Sequence, residues 1–354
     1  MIKIALDVSP LSGQSRFRGV GMYIKKLLES LEKSSNLEVI RFDNGRIPPK
    51  ADLVHYPYFF PFKFSLPFNL NQDFVVTVHD LIPLIFPEKY PPGIKGKFVF
   101  EIQKIFLKRA KRIITDSETS KRDIERFLGY PKNRVDVVYL APANKVKKIN
   151  DKKILSEAIK KYHLPEKFVL YIGDVNYNKN LPGLLKACRM VKVPLVVVGK
   201  QATQKDFDAD HIENQSLVEF LKMAEGATDV LRLGFVEENE LSALYSLASC
   251  FCMPSFYEGF GLQVLEAMSC ECPVVASNVS SLPEVAGEAA ILVDPQSVDS
   301  IAGGIEKILK NDELKIKLIK RGLEQIKKFS WEKVGRETEE SYYKALNRRL
   351  TTKT

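Results

Sequence analysis

Two glutamates, Glu258 and Glu266, are separated by seven residues that include a glycine turn, a spacing that could hold an anionic ligand. An apolar run from Leu247 to Met253 predicts a buried strand before them, and the apolar positions from Leu262 onward predict a helix. Strand, turn and helix in this order place backbone N–H groups at a helix N-terminus, where a phosphate is favoured. If every intervening residue were helical, the carboxylates would lie roughly 12 Å apart along the axis, which suits a sugar and a ribose. In the simpler interpretation, the charge of Glu258 interacts favourably with the helix dipole and Glu266 is a solvated surface residue. The spacing alone favours this simpler interpretation.

Composition describes a globular protein with anionic partners. A chain of 354 residues suits two domains, and no window offers the eighteen apolar residues of a membrane span. The N-terminus reads as a strand instead of a signal peptide, and five cysteines fit a reducing compartment, so a cytoplasmic location is expected. The net charge of +9 favours nucleotide phosphates, an anionic lipid surface or an acidic glycan. Nucleic acid is disfavoured, because the basic residues are scattered and no nucleic-acid motif is present.

Short apolar runs alternate with amphipathic stretches twice along the chain, which predicts two Rossmann-like α/β domains with parallel sheets and a ligand cleft between them. The first domain is expected over residues 1–150 and the second over 151–330, with a lysine-rich linker that runs into a surface helix near 141–161. Predicted strands are Ile2–Val8, Leu37–Phe42, Leu53–Tyr56, Phe74–His79, Arg112–Thr115, Val135–Leu140, Phe168–Ile172, Leu195–Val198, Leu231–Phe235, Cys250–Met253, Pro273–Ala276 and Ala290–Val293.

Further candidate groups follow the ends of these strands, where open α/β sheets bind ligands. Gly19 and Gly21 lie in the first turn, before a helix expected from Met22, and would let a phosphate approach the backbone. Ile24 stands where the third glycine of the dinucleotide fingerprint belongs, which argues against a nicotinamide-dependent dehydrogenase. His79 follows a very apolar strand; a position facing a cleft is favoured over a hydrogen-bonded core histidine.

In the second half, Gly173 permits a close turn and Lys179, at a helix entrance, can meet a phosphate. Val236 follows another strand and is a candidate for the rim of a nucleobase pocket.

Two apolar segments of the first half have open interpretations. The aromatic loop from His55 to Phe64 is either an acceptor-binding or membrane-touching loop, or a loop that buries its rings. Residues 95–112 predict a helix with basic residues around an apolar side that consists of Phe98, Ile102, Ile105 and Phe106. This helix either lies on an anionic membrane or packs on the sheet with a solvated basic face.

Metal sites are not expected. The acidic segment from Asp206 to Asp210 begins like a calcium loop, but His211 replaces the glycine, so a solvated loop is the better interpretation. The Cys-x-Cys pairs at Cys250 and Cys270 lack the spacing of a zinc site and are interpreted as buried core cysteines.

Taken together, these motifs resemble the GT-B fold of retaining glycosyltransferases of family GT4. The resemblance lies in Glu258-x7-Glu266 within Pro-Ser-Phe-Tyr-Glu-Gly-Phe-Gly-Leu, in Pro-Val-Val-Ala-Ser-Asn-Val-Ser-Ser-Leu-Pro-Glu after it, and in His79-Asp-Leu-Ile-Pro. Gly19-Val-Gly21 and Gly173 followed by Lys179 complete it in the expected order, and it covers nearly the whole chain. The histidine motif is similar to that of a subgroup rich in mannosyltransferases of surface polysaccharide synthesis.

The resemblance implies a nucleotide-sugar donor, no metal or other cofactor, and a glycan or lipid-linked acceptor. It also implies that the segment 331–354 packs back on the first domain. It assigns Glu258 to the sugar hydroxyls, Glu266 to the ribose and Lys179 to the leaving diphosphate, and it has His79 touch the sugar. The remaining donor contacts it implies are Gly19, Gly21, Gly173, Val236, Gly259, Phe260, Gly261 and Leu262.

Three positions depart from the family pattern. Asp174 and Asn178 stand where relatives often have arginines, which predicts a diphosphate site poor in cations. Glu271 stands where a glycine often follows the helix, and a left-handed cap would be strained there, so another form of cap is expected. The favoured interpretation is a retaining transferase that uses GDP-mannose; the alternative is a non-catalytic nucleotide-sugar-binding subunit of a polysaccharide assembly.

Overall fold

The structure is a computed structural model that describes residues 1–12, 19–43, 48, 50–66, 72–143 and 145–348. The chain divides into two compact units. The first unit contains the described residues up to Leu140 together with those from Phe329 onward, and the second contains Ala141–Lys328. The C-terminal segment is therefore part of the unit that the N-terminus begins.

The first unit is built on a parallel sheet in which the described residues contribute six strands, in the order β2-β1-β3-β4-β5-β6. These strands read as apolar runs because helices cover both faces of a parallel sheet. Their bounds are β1 Ile2–Asp7, β2 Leu37–Phe42, β3 Leu53–Tyr56, β4 Phe74–Thr77, β5 Arg112–Thr115 and β6 Val135–Val137.

The second unit repeats the design with six described strands in the order β12-β11-β10-β7-β8-β9, again parallel. The neighbouring strands β7 and β10 mark the point where the strand order changes direction across the sheet. Doubly wound sheets bind ligands in the crevice at the carboxyl ends of the strands at such a point. The bounds are β7 Val169–Ile172, β8 Leu195–Val198, β9 Val230–Gly234, β10 Cys250–Met253, β11 Val274–Ser277 and β12 Ala290–Val293.

Helices connect the strands in both units. Those of the first unit are α1 Gly19–Leu31, α2 Ile82–Ile85, α3 Gly93–Leu107, α4 Glu118–Asp123 with a π-helical turn at Ile124–Leu128, and α13 Trp331–Ala345. Those of the second unit are α5 Lys152–Tyr162, α6 Leu181–Met190, α7 Gln215–Ala224, α8 Glu238–Leu247, α9 Leu262–Ser269, α10 Leu282–Ala286, α11 Val298–Lys310 and α12 Asp312–Ile326. The expectation of an α/β fold with two Rossmann-like domains is confirmed. Among the described helices, none has the length and apolar character needed to cross a bilayer.

Helix α13 is joined to the first unit by buried polar contacts. The hydroxyl of Tyr342 lies 2.7 Å from Nδ1 of His55, a fully buried residue of β3. The other ring nitrogen of His55 lies 2.8 Å from the Thr77 hydroxyl. Burial lowers the pKa of His55 to about 3, so the ring is neutral and depends on these two partners. Ser30 Oγ also donates to the carbonyl of Trp331 at 2.6 Å.

Helix α3 buries only part of the apolar side that the sequence predicts. Phe98 and Ile105 are 67% and 65% exposed, whereas Phe106 packs against the core of the first unit and Gln103 is fully buried. The Gln103 amide donates to the carbonyls of Phe60 and Lys63 and thereby anchors the aromatic loop. The interpretation in which the apolar side packs on the sheet is therefore wrong for Phe98 and Ile105.

The aromatic loop fits each of its two interpretations in part, because some of its rings are buried and others are exposed. Phe59 is buried in the core of the first unit, and the ring of Phe62 packs edge-on against Phe100. Phe60 and Phe64 remain 42% and 49% exposed.

Candidate active site

The loops that follow β7 and β10 flank the reversal in the second sheet, and they carry the second-unit candidates Gly173, Lys179, Glu258, Gly259, Phe260 and Gly261. Polar contacts dock the two loops on each other. The amide of Phe256 donates to the carbonyl of Asn178 at 2.7 Å, and Asn178 Nδ2 donates to the carbonyl of Tyr257 at 2.9 Å. Asn180 Nδ2 donates to the carbonyl of Pro254 at 3.2 Å. The two loops therefore form one surface.

Lys179 and Glu258 form an ion pair on this surface. The ammonium donates to both carboxylate oxygens at 2.8 Å. The side chains are 18% and 7% exposed, so the pair is shielded from most of the solvent. The backbone N–H of Glu258 donates to Ser280 Oγ at 3.0 Å, and Ser281 Oγ donates to its carbonyl. The two residues predicted to serve the sugar and the diphosphate thus lie in direct contact.

The turn before α9 requires a glycine at position 261. Gly261 has φ +95°, and a Cβ there would come within 2.5 Å of Leu282 Cδ2. Helix α9 starts at Leu262 with Gly261 as its N-cap, so no side chain of the N-cap residue covers the first amides. Residues 259–261 form this turn, and the spacing of two carboxylates on a continuous helix does not apply. The result is an uncapped helix N-terminus beside the ion pair, suited to an anion.

The loop after β7 is also shaped by a glycine. Gly173 has φ +154°, and a Cβ there would meet the hydroxyl of Tyr171 at 2.9 Å. Asn178 is buried and engaged with the carbonyl of Tyr257, so at this position the chain holds a structural amide instead of a phosphate-binding cation. Asp174 is exposed.

Glu266 lies on α9, and its Oε2 accepts a hydrogen bond of 3.0 Å from the hydroxyl of Tyr245. Tyr245 is fully buried; burial and the neighbouring Glu266 carboxylate raise the pKa of its hydroxyl well above the usual value. The hydroxyl therefore keeps its proton and orients the carboxylate. Tyr245 is a positioning residue that the sequence does not reveal, because it lies on a different helix. Val236 follows β9 and is buried.

His79 lies in the first unit, after β4. Its Nδ1 is 2.6 Å from Asp116 Oδ2, and its Nε2 is 3.3 Å from the carbonyl of Pro57. Burial disfavours the charged imidazole, but the Asp116 carboxylate outweighs this effect and the pKa of His79 is raised above its usual value. Both ring nitrogens face acceptors, as a doubly protonated ring requires. Asp116 is the partner that sequence reasoning missed, since it follows the neighbouring strand β5.

Gly19 and Gly21 fall within the described part of helix α1, Gly19–Leu31, so the helix includes residues before Met22. The two glycines are helical and do not lie in a loop, and residues 13–18 lie outside the described part of the chain. The same helix brings Tyr23 edge-on to His79, with ring centroids 4.7 Å apart. A phosphate role for these glycines would therefore use the amides of helical residues.

Potential metal ligands do not gather in the described parts of the chain, where no three His, Cys, Asp or Glu residues form a cluster. The segment around Asp206 and Asp210 is exposed, as expected of a solvated loop. The five cysteines are free thiols buried in the second unit, which confirms their interpretation as core residues.

Glu271 corrects the expectation for the end of α9. It adopts φ +55°, the left-handed conformation. Its N–H donates to the carbonyl of Met268, and the N–H of Cys272 donates to that of Ala267, a Schellman motif. The expectation of another form of cap is wrong: the chain must reverse into β11, and the two hydrogen bonds hold a residue that tolerates this geometry poorly.

The fold of the whole chain is shared with solved structures. Sucrose-phosphate synthase from Thermosynechococcus elongatus matches with a TM-score of 0.75 and 21% identity, over 98% of this chain and 100% of that chain. The Anabaena protein Alr3699/HepE, solved in complex with UDP-glucose, matches with a TM-score of 0.71 and 16% identity, over 97% of this chain and 99% of that chain. These likenesses and the two parallel sheets define the class as the GT-B fold.

Sequence similarity gives the family. Residues 153–325 match the family described as Glycosyl transferases group 1, and residues 17–141 match Glycosyltransferase Family 4. Over 298 residues the chain is 35% identical to O-antigen chain mannosyltransferase B of Escherichia coli, covering 82% of this chain and 75% of that protein. The chain belongs to the group 1, family 4 glycosyltransferases, and it is an enzyme of that class, as the motifs predict.

Proposed function

We propose that this glycosyltransferase moves mannose from GDP-mannose to a glycan or lipid-linked acceptor in the synthesis of a surface polysaccharide. The observation that carries the donor class is the Lys179–Glu258 pair beside the N-terminus of α9, whose N-cap residue is a glycine. A cation, a carboxylate and the positive end of a helix dipole suit a diphosphate and a sugar bound side by side. Similarity to the Escherichia coli mannosyltransferase supports the choice of mannose.

In this proposal, different groups of the second unit bind different parts of the donor. Glu258 contacts the hydroxyls of the sugar, and Lys179 neutralises the charge that develops on the leaving diphosphate. The amides of Phe260, Gly261 and Leu262 receive the distal phosphate.

The nucleoside end of the donor is assigned to other groups. Glu266, oriented by Tyr245, accepts hydrogen bonds from the ribose hydroxyls. Val236 lines the base pocket. From the first unit, the proposal assigns the amides of Gly19 and Gly21 to the phosphates.

The proposed reaction retains the configuration of the sugar. The acceptor hydroxyl bonds to the anomeric carbon on the face from which the diphosphate departs, while the bond from that carbon to the phosphate oxygen breaks. The acceptor proton passes to a departing phosphate oxygen. His79, whose Nδ1 is paired with Asp116, contacts the sugar in this scheme, and neither an enzymic nucleophile nor a metal takes part.

A screen of donors followed by a transfer assay tests the proposal. Thermal unfolding is measured with GDP-, UDP-, ADP- and dTDP-sugars, because a ligand that binds the folded state raises the unfolding temperature. GDP-mannose is expected to give the largest shift, and Glu258→Ala is expected to abolish transfer. A larger shift with another donor would overturn the choice of GDP-mannose, and unchanged product formation by Glu258→Ala would overturn the site.

The proposal places the reaction in the cytoplasm, with the enzyme at the inner face of the membrane. The alternative, a non-catalytic nucleotide-sugar-binding subunit, predicts a thermal shift without transfer to any acceptor. Asn178 no longer supports that alternative as a missing cation, since it serves as a buried structural amide.

A further inference from the structure

Helix α3 exposes a stripe of large apolar side chains. Ile94, Phe98 and Ile105 are 91%, 67% and 65% exposed. They are spaced by four and seven residues, which puts them on one side of a helix with 3.6 residues per turn. The opposite side holds the buried Gly96, Gln103 and Leu107. The exposed stripe is therefore a fixed property of how α3 packs.

An apolar groove of about 420 Å³ adjoins α3 along one flank. Its walls include Phe62, Phe100 and Phe127, together with Pro83 and Leu84 of the segment that follows His79. We call the stripe and this groove the α3 surface.

The charge beside the α3 surface identifies its partner. Lys97, Lys104 and Lys108 recur at intervals of seven and four residues and so follow the flank of the helix next to the stripe. Lys97 and Lys108 are exposed, and Lys97 also lines the groove. The Lys104 ammonium lies 5.8 Å from the centre of the Phe100 ring. Apolar side chains beside a row of lysines complement a bilayer with anionic headgroups. A second copy in a two-fold pair would bring like lysines together.

We propose that the α3 surface docks the enzyme on an anionic phospholipid bilayer, with Ile94, Phe98 and Ile105 inserted below the headgroups and the lysines at the phosphates. The benefit for catalysis rests on the proposed function, because a lipid-linked acceptor would be reached from the docked state. The segment that begins at His79, the proposed sugar contact, continues to Leu84 in the wall of the groove. The same short segment therefore connects the docking surface to the sugar contact.

Co-sedimentation with lipid vesicles tests docking without any donor, so its outcome is independent of glycosyl transfer. The full chain is mixed with vesicles of phosphatidylcholine alone or with phosphatidylglycerol added. We expect binding only to the anionic vesicles, and a loss of roughly tenfold in partitioning for each residue changed in Phe98→Ser and Ile105→Ser. Ile316→Ser is the matched control, because Ile316 is 68% exposed on α12 between two lysines.

Transfer to a short water-soluble acceptor should be unchanged in the Phe98 and Ile105 variants, which shows that they fold. Three results would overturn docking: no binding of the wild type to anionic vesicles, equal binding of these variants and the wild type, or equal losses in the control. A wild-type dimer that becomes monomeric in Phe98→Ser, without vesicle binding, would assign the surface to a second copy instead.

Discussion

Replacing Glu258 by Gln is expected to strengthen the binding of free GDP while it weakens transfer. The Lys179 ammonium donates to both carboxylate oxygens of Glu258 at 2.8 Å. A diphosphate must draw the same ammonium away from Glu258, and it also meets the negative charge of that carboxylate. The glutamine keeps the shape and a hydrogen-bond acceptor but removes the charge that competes.

The expected gain follows from the geometry of the pair. A hydrogen bond to a charged group contributes about 1.5–3 kcal/mol. The side-chain amide of the glutamine still accepts one hydrogen bond from Lys179, and Lys179 is 18% exposed to screening solvent. The expected gain in the free energy of GDP binding is therefore smaller, about 1–2 kcal/mol. This corresponds to GDP binding that is roughly 5- to 30-fold tighter. Loss of the sugar contact should lower the rate of transfer by roughly 100-fold or more.

Isothermal titration with GDP measures the effect, and a double-mutant cycle isolates it. Lys179→Gln should weaken GDP binding. Adding Glu258→Gln to it should give a smaller gain than in the wild type, because no ammonium remains to be released and only the repulsion between the carboxylate and the diphosphate is relieved. GDP affinity that is unchanged or lower in Glu258→Gln, or a gain of equal size in the double variant, would refute the competition between carboxylate and diphosphate.

Three further variants test groups around the site. Asp116→Asn should lower the pKa of His79, because it removes the carboxylate that contributes most to offsetting the effect of burial. The decline of transfer with rising pH should then move to lower pH, with a loss of roughly tenfold or more at neutral pH, and an unmoved pH profile would contradict a role of the protonated His79 in transfer. Tyr342→Phe should destabilise the first unit by about 1–3 kcal/mol in urea unfolding at pH 7, because it leaves the buried Nδ1 of His55 without its partner; a change below that range would show that this nitrogen is satisfied otherwise. Glu271→Gly should stabilise the second unit by about 0.5–1 kcal/mol, since glycine adopts the left-handed conformation without strain, whereas Glu271→Ala should not; equal melting temperatures for all three proteins would exclude strain at this cap.

Sequence patterns predicted the sheets well and the partners of the site poorly. Runs such as Leu195–Val198 and Cys250–Met253 have the same bounds in the structure, because a strand buried on both faces must be apolar throughout. Gly261 could also be anticipated, since the turn before a phosphate-binding helix favours glycine.

Partners that lie on distant elements cannot be recognised from the local sequence. Asp116 lies 37 residues from His79, and Tyr245 lies 21 residues from Glu266. The amide of Gln103 in α3 donates to a carbonyl 43 residues away, so the apolar pattern of the helix cannot by itself decide between the two interpretations of its apolar side. The sequence pattern predicts a loop at Gly19 and Gly21, because glycine is common in turns, whereas both glycines are helical in the structure.

The return of α13 to the first unit has a consequence for synthesis. His55 and Tyr342 are 287 residues apart, and at about 5–20 residues per second the ribosome needs roughly 15 to 60 seconds to make the stretch between them. During that time the second unit, a continuous segment, can complete its sheet while the nascent first unit still lacks its last helix. The part of the chain made first is therefore the part that finishes folding last.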